Sequence, residues 1–245
     1  MRYRLKYKPY AEDAILIEWP PEIDENILQD ILIFQEKIKT QYNKVIIEVV
    51  SAYNSLLVYY LSAIEDFYDK ISGLKALYNS NTVPLQKKQK VWKLPVCYSP
   101  HLAPDLISFS KTKALSIDDI ISLHTAPQYT VYFLGFLPGF LYLGGLPQTL
   151  HFIRKKTPAP IVERGAVAIG GNQTGIYPVD SPGGWHVIGK CPLNLFDAHQ
   201  EIPSRVCPSD RVQFVSISAS QYTEIRTKVL NKNYFPEPEE LSWGK

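Results

Sequence analysis

The sequence predicts an α+β N-terminal lobe followed by a mainly β barrel. Two successive strand–helix patterns near the N-terminus favour a small sheet covered by helices. Farther along, eleven of the 13 glycines fall between Gly135 and Gly189. Short apolar runs separated by such turn residues, at spacings of about ten residues, are typical of a closed or nearly closed sheet. We therefore expect an α+β domain over residues 1–85, a β-barrel domain over 86–230 and a polar C-terminal tail over 231–245.

Apolar periodicity predicts the elements of the N-terminal domain. Runs rich in β-branched residues predict strands, at residues 14–19, 45–50 and 55–60. Apolar residues that recur at helical spacing predict helices, at residues 22–42 and 62–78. The segment 79–90 that follows is rich in turn-forming and polar residues, so we place the domain boundary within it.

The second domain is predicted to contain mainly short strands. These are expected at residues 91–98, 128–136, 166–170, 175–178, 186–190 and 212–217. Two helices are expected before the glycine-rich region, at 103–110 and 116–125, and Ser116 with Asp119 resembles a capping box at the start of the second. The tail is polar, contains two prolines and is expected to pack loosely.

The composition argues against several classes of function. A net charge of +2 at pH 7 gives no electrostatic basis for binding nucleic acid or an anionic membrane. The basic N-terminus is not followed by an apolar signal segment, and no apolar run reaches the roughly 18 residues of a membrane span. Cys97, Cys191 and Cys207 are too few and too scattered for a disulfide framework or a zinc ribbon. We expect a cytoplasmic protein.

Three ordered motifs in the glycine-rich region carry a family resemblance. They are FLPGFLYLGG at residues 136–145, QTGIYP at 173–178 and SPGGW at 181–185. With these motifs the chain resembles the family of B-type 5-oxoprolinase subunits, also called the allophanate hydrolase subunit 1 or Kip-type kinase inhibitor family. The resemblance covers about residues 14–215. It implies an α+β lobe followed by a cyclophilin-like β-barrel.

The resemblance also implies an activity and partners. It implies a subunit of a bacterial ATP-dependent 5-oxoprolinase, which converts 5-oxo-L-proline to L-glutamate. A C-type subunit would be the tight partner and an A-type subunit a second one. ATP and Mg²⁺ would be used by the assembled enzyme, with no cofactor bound by this chain alone. Two alternatives stay open: inhibition of a sensor histidine kinase, and the carboxyltransferase half of a biotin-dependent system like urea amidolyase.

Residues 184–191 come close to a phosphate-binding loop. The sequence GWHVIGKC lacks the Ser or Thr that would bind Mg²⁺, and Pro192 follows where a helix should begin. The alternating interior predicts a strand instead, so we expect no nucleotide site here. His186, after the Gly-Gly-Trp turn, is the candidate catalytic acid or base because imidazole titrates near neutral pH. His124 lies beside apolar residues on a predicted helix and is expected to be packed.

The aromatic residues of the glycine-rich region predict an apolar ligand pocket or a partner surface. Arg154 begins a basic cluster and is the candidate group for binding a carboxylate or phosphate, with a solvated loop as the alternative. For Ser181 the alternative is a turn-capping role. No histidine or cysteine spacing in the sequence suggests a metal site. The predicted substrate- or partner-binding residues are Phe140, Tyr142, Arg154, Gln173, Thr174, Tyr177, Ser181 and Trp185.

Overall fold

The chain divides into two compact units, Met1–Lys87 and Lys88–Lys245. The structure, a computed structural model, describes residues 3–81, 89–231 and 234–241. The boundary expected between residues 85 and 86 lies outside the described residues. Each unit buries its own hydrophobic core, as independent folding units do.

A four-stranded antiparallel sheet and two helices make up the first unit. The strands are β1 Lys6–Ala11, β2 Ala14–Glu18, β3 Ile46–Ser51 and β4 Ser55–Tyr60, and the helices are α1 Glu25–Tyr42 and α2 Phe67–Asn79. The sheet order is β1–β2–β4–β3. The sequence does not predict β1, because this edge strand, KYKPYA, is mostly exposed and shows no apolar alternation.

Aspartate caps determine where the two helices begin. Asp24 accepts hydrogen bonds from the backbone N–H groups of Asn26 and Ile27, and Asp66 accepts one from Asp69. Both helices therefore begin later than the expected residues 22 and 62, because a capping residue keeps an extended backbone. The apolar face of α1 shares one core with the sheet, formed among others by Ile27, Ile31, Phe34, Ile38, Ile15, Ile17, Leu56 and Val58.

Seven strands close into a barrel in the second unit. They are β5 Gln89–Cys97, β6 Tyr129–Leu134, β7 Leu141–Gly144, β9 Ala166–Gly170, β10 Gln173–Ile176, β12 His186–Lys190 and β13 Arg211–Ile217. Their order is β12–β9–β10–β7–β6–β13–β5, and the pairing of Lys190 with Cys97 joins β12 to β5 and closes the ring. The predicted fold class, an α+β lobe followed by a mainly β cyclophilin-like barrel, is confirmed.

Short elements surround the barrel. Strands β8 Ala159–Val162 and β11 Ser181–Gly183 form a separate two-stranded sheet, and the helices are α3 Leu106–Lys113, α4 Ile117–Thr125 and α5 Ala219–Leu230. The capping box predicted from Ser116 and Asp119 is present. The sequence does not predict α5, because none of its residues is buried and its apolar periodicity is weak.

The described part of the C-terminal tail is paired with the barrel, contrary to the expectation of loose packing. Strand β14 Glu239–Leu241 forms an antiparallel ladder with the first residues of β5. The ring of Phe235 packs edge-on against Trp92, with 5.6 Å between ring centroids. The tail thus covers a part of β5 that barrel closure leaves without a neighbour.

Candidate functional site

An open pocket of about 320 Å³ lies next to the two-stranded sheet of the second unit. It is lined by the loop before β7, by segment 154–158, by the residue after β10 and by the turn into β12. Five of the eight predicted binding residues line it: Phe140, Tyr142, Arg154, Tyr177 and Trp185. The remaining lining residues are Phe136, Lys155, Pro158, Pro182, Gly183 and Gly184.

Mutually packed aromatic rings form the floor of the pocket. The ring centroid of Phe140 lies 4.9 Å from that of Tyr142, 5.3 Å from that of Tyr177 and 5.5 Å from that of Trp185. Phe140, Tyr177 and Trp185 are nearly fully buried. Edge-to-face packing of this kind restrains each ring. The apolar wall is therefore formed before any ligand arrives.

Two glycines let the rings approach the backbone. A Cβ at Gly170 would lie 2.5 Å from atoms of the Trp185 indole, and a Cβ at Gly183 would lie 2.4 Å from the hydroxyl of Tyr177. Both distances are far below van der Waals contact, and the rings are buried and cannot simply move aside. These two glycines of the glycine-rich region thus permit close packing of the pocket wall.

Two cations line the pocket, Arg154 and Lys155, and Lys155 is paired with Asp105. The guanidinium of Arg154 is the candidate group for binding an anion. The Arg154 guanidinium lies 5.6 Å from the ring centroid of Trp185, a distance at which a cation is attracted to an indole face. Among the described residues it forms no salt bridge. Burial raises the pKa of Tyr142 and of Tyr177, and the charge of Arg154 opposes this rise. Both phenols therefore stay neutral hydrogen-bonding groups at physiological pH.

Phe136 occupies an unfavourable backbone conformation at the mouth of the pocket. Its φ is +67°, in the left-handed region that non-glycine residues rarely adopt. Its side chain is 62% exposed and packs edge-on against Phe140. Such a conformation costs on the order of 1 kcal/mol and commonly marks a binding site. The fold thus presents an aromatic side chain to solvent at this opening.

The structure does not bring His186 to this pocket. Adjacent residues of extended chain point to opposite sides. Trp185, just before β12, therefore enters the aromatic floor, while His186 packs against Phe152 with 4.4 Å between ring centroids. Its Nε2 atom donates a hydrogen bond to the carbonyl oxygen of Ile153 at 2.9 Å. His186 thus lies outside the lining of this pocket, and its acid–base role stays a prediction.

Three other predicted binding residues also lie outside the pocket lining. Ser181 is nearly buried within β11, where it pairs with Val162. Gln173 is the first residue of β10 and pairs with Gly170. Thr174 is fully buried and belongs to the barrel interior. Sequence position alone could not exclude these three residues, because they come from the same motifs as the lining residues Tyr177 and Trp185.

Thr174 belongs to a chain of buried hydrogen bonds through His124. The hydroxyl of Thr174 donates to the carbonyl of Ala168, so it accepts from Nε2 of His124 at 2.9 Å. Nδ1 of that histidine then accepts from the hydroxyl of Tyr98 at 2.7 Å. The imidazole also stacks on Phe214 at 4.6 Å. His124 is thus a packed histidine, as its helical position predicts.

Residues 184–191 form no phosphate-binding loop. Most of this segment is strand β12, and no helix follows it directly in the described chain. Lys190 is bound to the carboxylate of Glu163, and Cys191 is buried.

In the described ranges no group of three or more His, Cys, Asp or Glu side chains could hold a metal ion. None of the helices there is long and apolar enough to cross a membrane.

A larger hollow of about 390 Å³ lies elsewhere on the second unit, near Asn194 and Glu237. One of its two carboxylates, Asp197, accepts hydrogen bonds from the backbone N–H of His199 and the side-chain amide of Gln200. None of the predicted binding residues lines this hollow. We therefore take the aromatic pocket as the candidate site.

Comparison with known proteins agrees with the motifs that line the pocket. Residues 5–206 match the model of the carboxyltransferase domain, subdomain C and D. The chain belongs to this family. It is 33% identical to the B-type subunit of 5-oxoprolinase from Bacillus subtilis, over 91% of this chain and 97% of that protein. It is 36% identical to the corresponding 5-oxoprolinase subunit of Haemophilus influenzae, over 84% of this chain and 95% of that protein. The predicted resemblance is confirmed.

Two solved structures share this fold. The protein TTHA0988 superposes with a TM-score of 0.71 at 30% identity, over 84% of this chain. This chain spans only 40% of that longer protein. The urea amidolyase of K. lactis superposes with a TM-score of 0.77 over 98% of this chain and 16% of that protein. At 19% identity, the similarity to urea amidolyase shows a shared fold and nothing more.

Proposed function

We propose that this chain is a subunit of an ATP-dependent 5-oxoprolinase. In this proposal it contributes to the conversion of 5-oxo-L-proline to L-glutamate together with A- and C-type subunits. Relatives named as the B-type subunit of 5-oxoprolinase match almost end to end, over 97% and 95% of their lengths. That name also implies that other kinds of subunit exist, which agrees with a composite active site.

The observation that carries the proposal is the Arg154 guanidinium over Trp185 at the mouth of an aromatic pocket. 5-Oxo-L-proline is a small, nearly flat lactam ring with one carboxylate. A guanidinium binds a carboxylate through two parallel hydrogen bonds. The aromatic lining of the pocket, which includes Phe136 and Tyr142, offers apolar contact for the ring, and the volume of about 320 Å³ leaves room for groups from a partner protein.

The remaining chemistry would come from the partner subunits. The part of this chain that the structure describes offers no phosphate loop at residues 184–191 and no metal-binding cluster. Residues 184–191 lack the hydroxyl and the following helix of a phosphate-binding loop, so in this proposal another subunit binds the nucleotide. Opening a lactam is coupled here to ATP hydrolysis, and this chain would hold and orient the lactam.

The test is steady-state kinetics of the enzyme reconstituted from its three kinds of subunit. Arg154→Ala should raise KM for 5-oxo-L-proline by roughly tenfold or more, since it removes a charge-assisted bidentate contact. Arg154→Lys should give a smaller increase, because an ammonium keeps the charge without the fork geometry. The isolated chain should show no turnover.

A matched control is available on the same unit. Arg205 also lies over an aromatic ring, 5.2 Å from the centroid of Phe235, but outside the pocket. Arg205→Ala should leave KM unchanged. Equal effects of the two alanine substitutions, or ATP-coupled turnover by the purified single chain, would contradict the proposal.

A further inference from the structure

Both chain neighbours of Arg154 are tied to the turn that enters β12. The carbonyl oxygen of Ile153 accepts a hydrogen bond from Nε2 of His186 at 2.9 Å. The backbone N–H of Lys155 donates to the carbonyl of Gly184 at 2.7 Å. These contacts fix the backbone on either side of an exposed side chain. Both hydrogen bonds connect segment 153–155 to the chain on either side of Trp185, and the Arg154 guanidinium lies over the ring of Trp185.

Asp105 also holds this segment, through a side chain that would ordinarily cap a helix. It is the N-cap residue of α3, yet its side chain makes no capping hydrogen bond. Its Oδ2 atom instead accepts from Nζ of Lys155 at 2.7 Å and from the backbone N–H of Val187 at 2.7 Å. Asp105 thereby gives up a favourable helix cap. One carboxylate oxygen joins the segment that carries Arg154 to strand β12.

We propose that Asp105 and His186 are positioning residues, which hold segment 153–155 so that the Arg154 guanidinium is aimed at the pocket. This inference rests on the proposed function, in which Arg154 binds the substrate carboxylate. An exposed arginine on a free loop would have to be ordered when the ligand binds. A backbone fixed in advance removes part of that entropic cost.

Variants of His186 and Asp105 can remove or keep the individual hydrogen bonds that hold segment 153–155. A carbonyl oxygen only accepts, so Nε2 carries the proton in this contact. His186→Phe keeps an aromatic ring against Phe152 and removes the N–H donor. His186→Gln keeps a donor that can reach the same carbonyl. Asp105→Asn keeps an acceptor for the N–H of Val187 and removes the charge opposite Lys155.

In the reconstituted enzyme, His186→Phe and Asp105→Asn should each raise KM for 5-oxo-L-proline roughly fivefold, with kcat changed less than about twofold. His186→Gln should restore KM to near the parent value. In an Arg154→Ala background, His186→Phe should add nothing further, because no guanidinium remains to be aimed. His199→Phe, which alters an exposed histidine on another loop, serves as the control and should leave KM unchanged.

The outcomes separate the two proposals. If Arg154→Ala does not raise KM, the carboxylate role of Arg154 fails. If Arg154→Ala raises KM while His186→Phe and Asp105→Asn do not, the positioning inference is overturned. It is equally overturned if His186→Phe raises KM as much without Arg154 as with it.

A readout that needs no activity is the NMR resonance of the Arg154 side-chain Nε–H group. This resonance should be shifted by the Trp185 ring current in the parent. It should move toward its free-arginine position in His186→Phe and Asp105→Asn, and not in His186→Gln. An unmoved resonance in both of the first two variants counts against the inference, whatever the enzyme does.

Discussion

The buried histidine His124 makes the stability of the barrel depend on pH in a calculable way. Burial lowers its pKa from 6.5 to about 3. Its partners among the described residues are uncharged: the hydroxyls of Tyr98 and Thr174 and the ring of Phe214. In the unfolded chain the same imidazole titrates near its ordinary value. The perturbation to consider is therefore acidification, together with the variant His124→Gln.

The sign follows from which state binds more protons. Between pH 6.5 and pH 3 the unfolded chain holds a proton on His124 that the folded chain does not, so the free energy of unfolding falls as pH falls. Full stability from this group is present above pH 6.5. At about pH 5 the loss is about 2 kcal/mol, since each pH unit below the unfolded pKa costs about 1.4 kcal/mol.

Urea unfolding at about pH 7 and about pH 5 measures this loss. The variant should be less stable at both pH values, because glutamine cannot both accept from Tyr98 and stack on Phe214. The quantity that tests the reasoning is the difference between the two pH values, which should shrink by about 2 kcal/mol in the variant. His199→Gln, which removes an exposed histidine, should keep the parental difference. If the parent and His124→Gln lose the same stability on acidification, the burial argument is wrong.

Three further predictions concern the pocket and the strand beside it. Phe136→Gly should change the free energy of unfolding by less than about 1 kcal/mol, because relief of the left-handed backbone strain offsets the lost aromatic contact. The same substitution should raise KM in the reconstituted enzyme, and an unchanged KM would show that Phe136 is not part of the site. Gly183→Ala should displace the ring of Tyr177 and raise KM, because the added Cβ would overlap the Tyr177 hydroxyl; a crystal structure with an unmoved ring would refute this. Lys190→Ala should leave nucleotide affinity of the full assembly unchanged, since the lysine binds Glu163; a specific loss measured by calorimetry would revive a phosphate loop.

The periodic elements were predictable because local sequence and burial agree in them. Strand β4 and helix α4 occur almost where their apolar patterns predict them. Elements whose residues bury little, such as β1 and α5, leave no such pattern. The described part of the tail is paired through a ladder with β5, a distant partner that no local signal identifies.

The sequence by itself determined the family, through three ordered motifs, and the aromatic character of the candidate site. Only the tertiary structure decided which motif residues meet. Trp185 and His186 are adjacent in sequence, yet one enters the aromatic floor and the other packs against Phe152. Thr174 likewise belongs to a motif that lines the pocket, yet its side chain is fully buried in the barrel. Neighbouring strand residues point to opposite sides, and which side faces the pocket depends on packing between distant segments, which motif spacing does not encode.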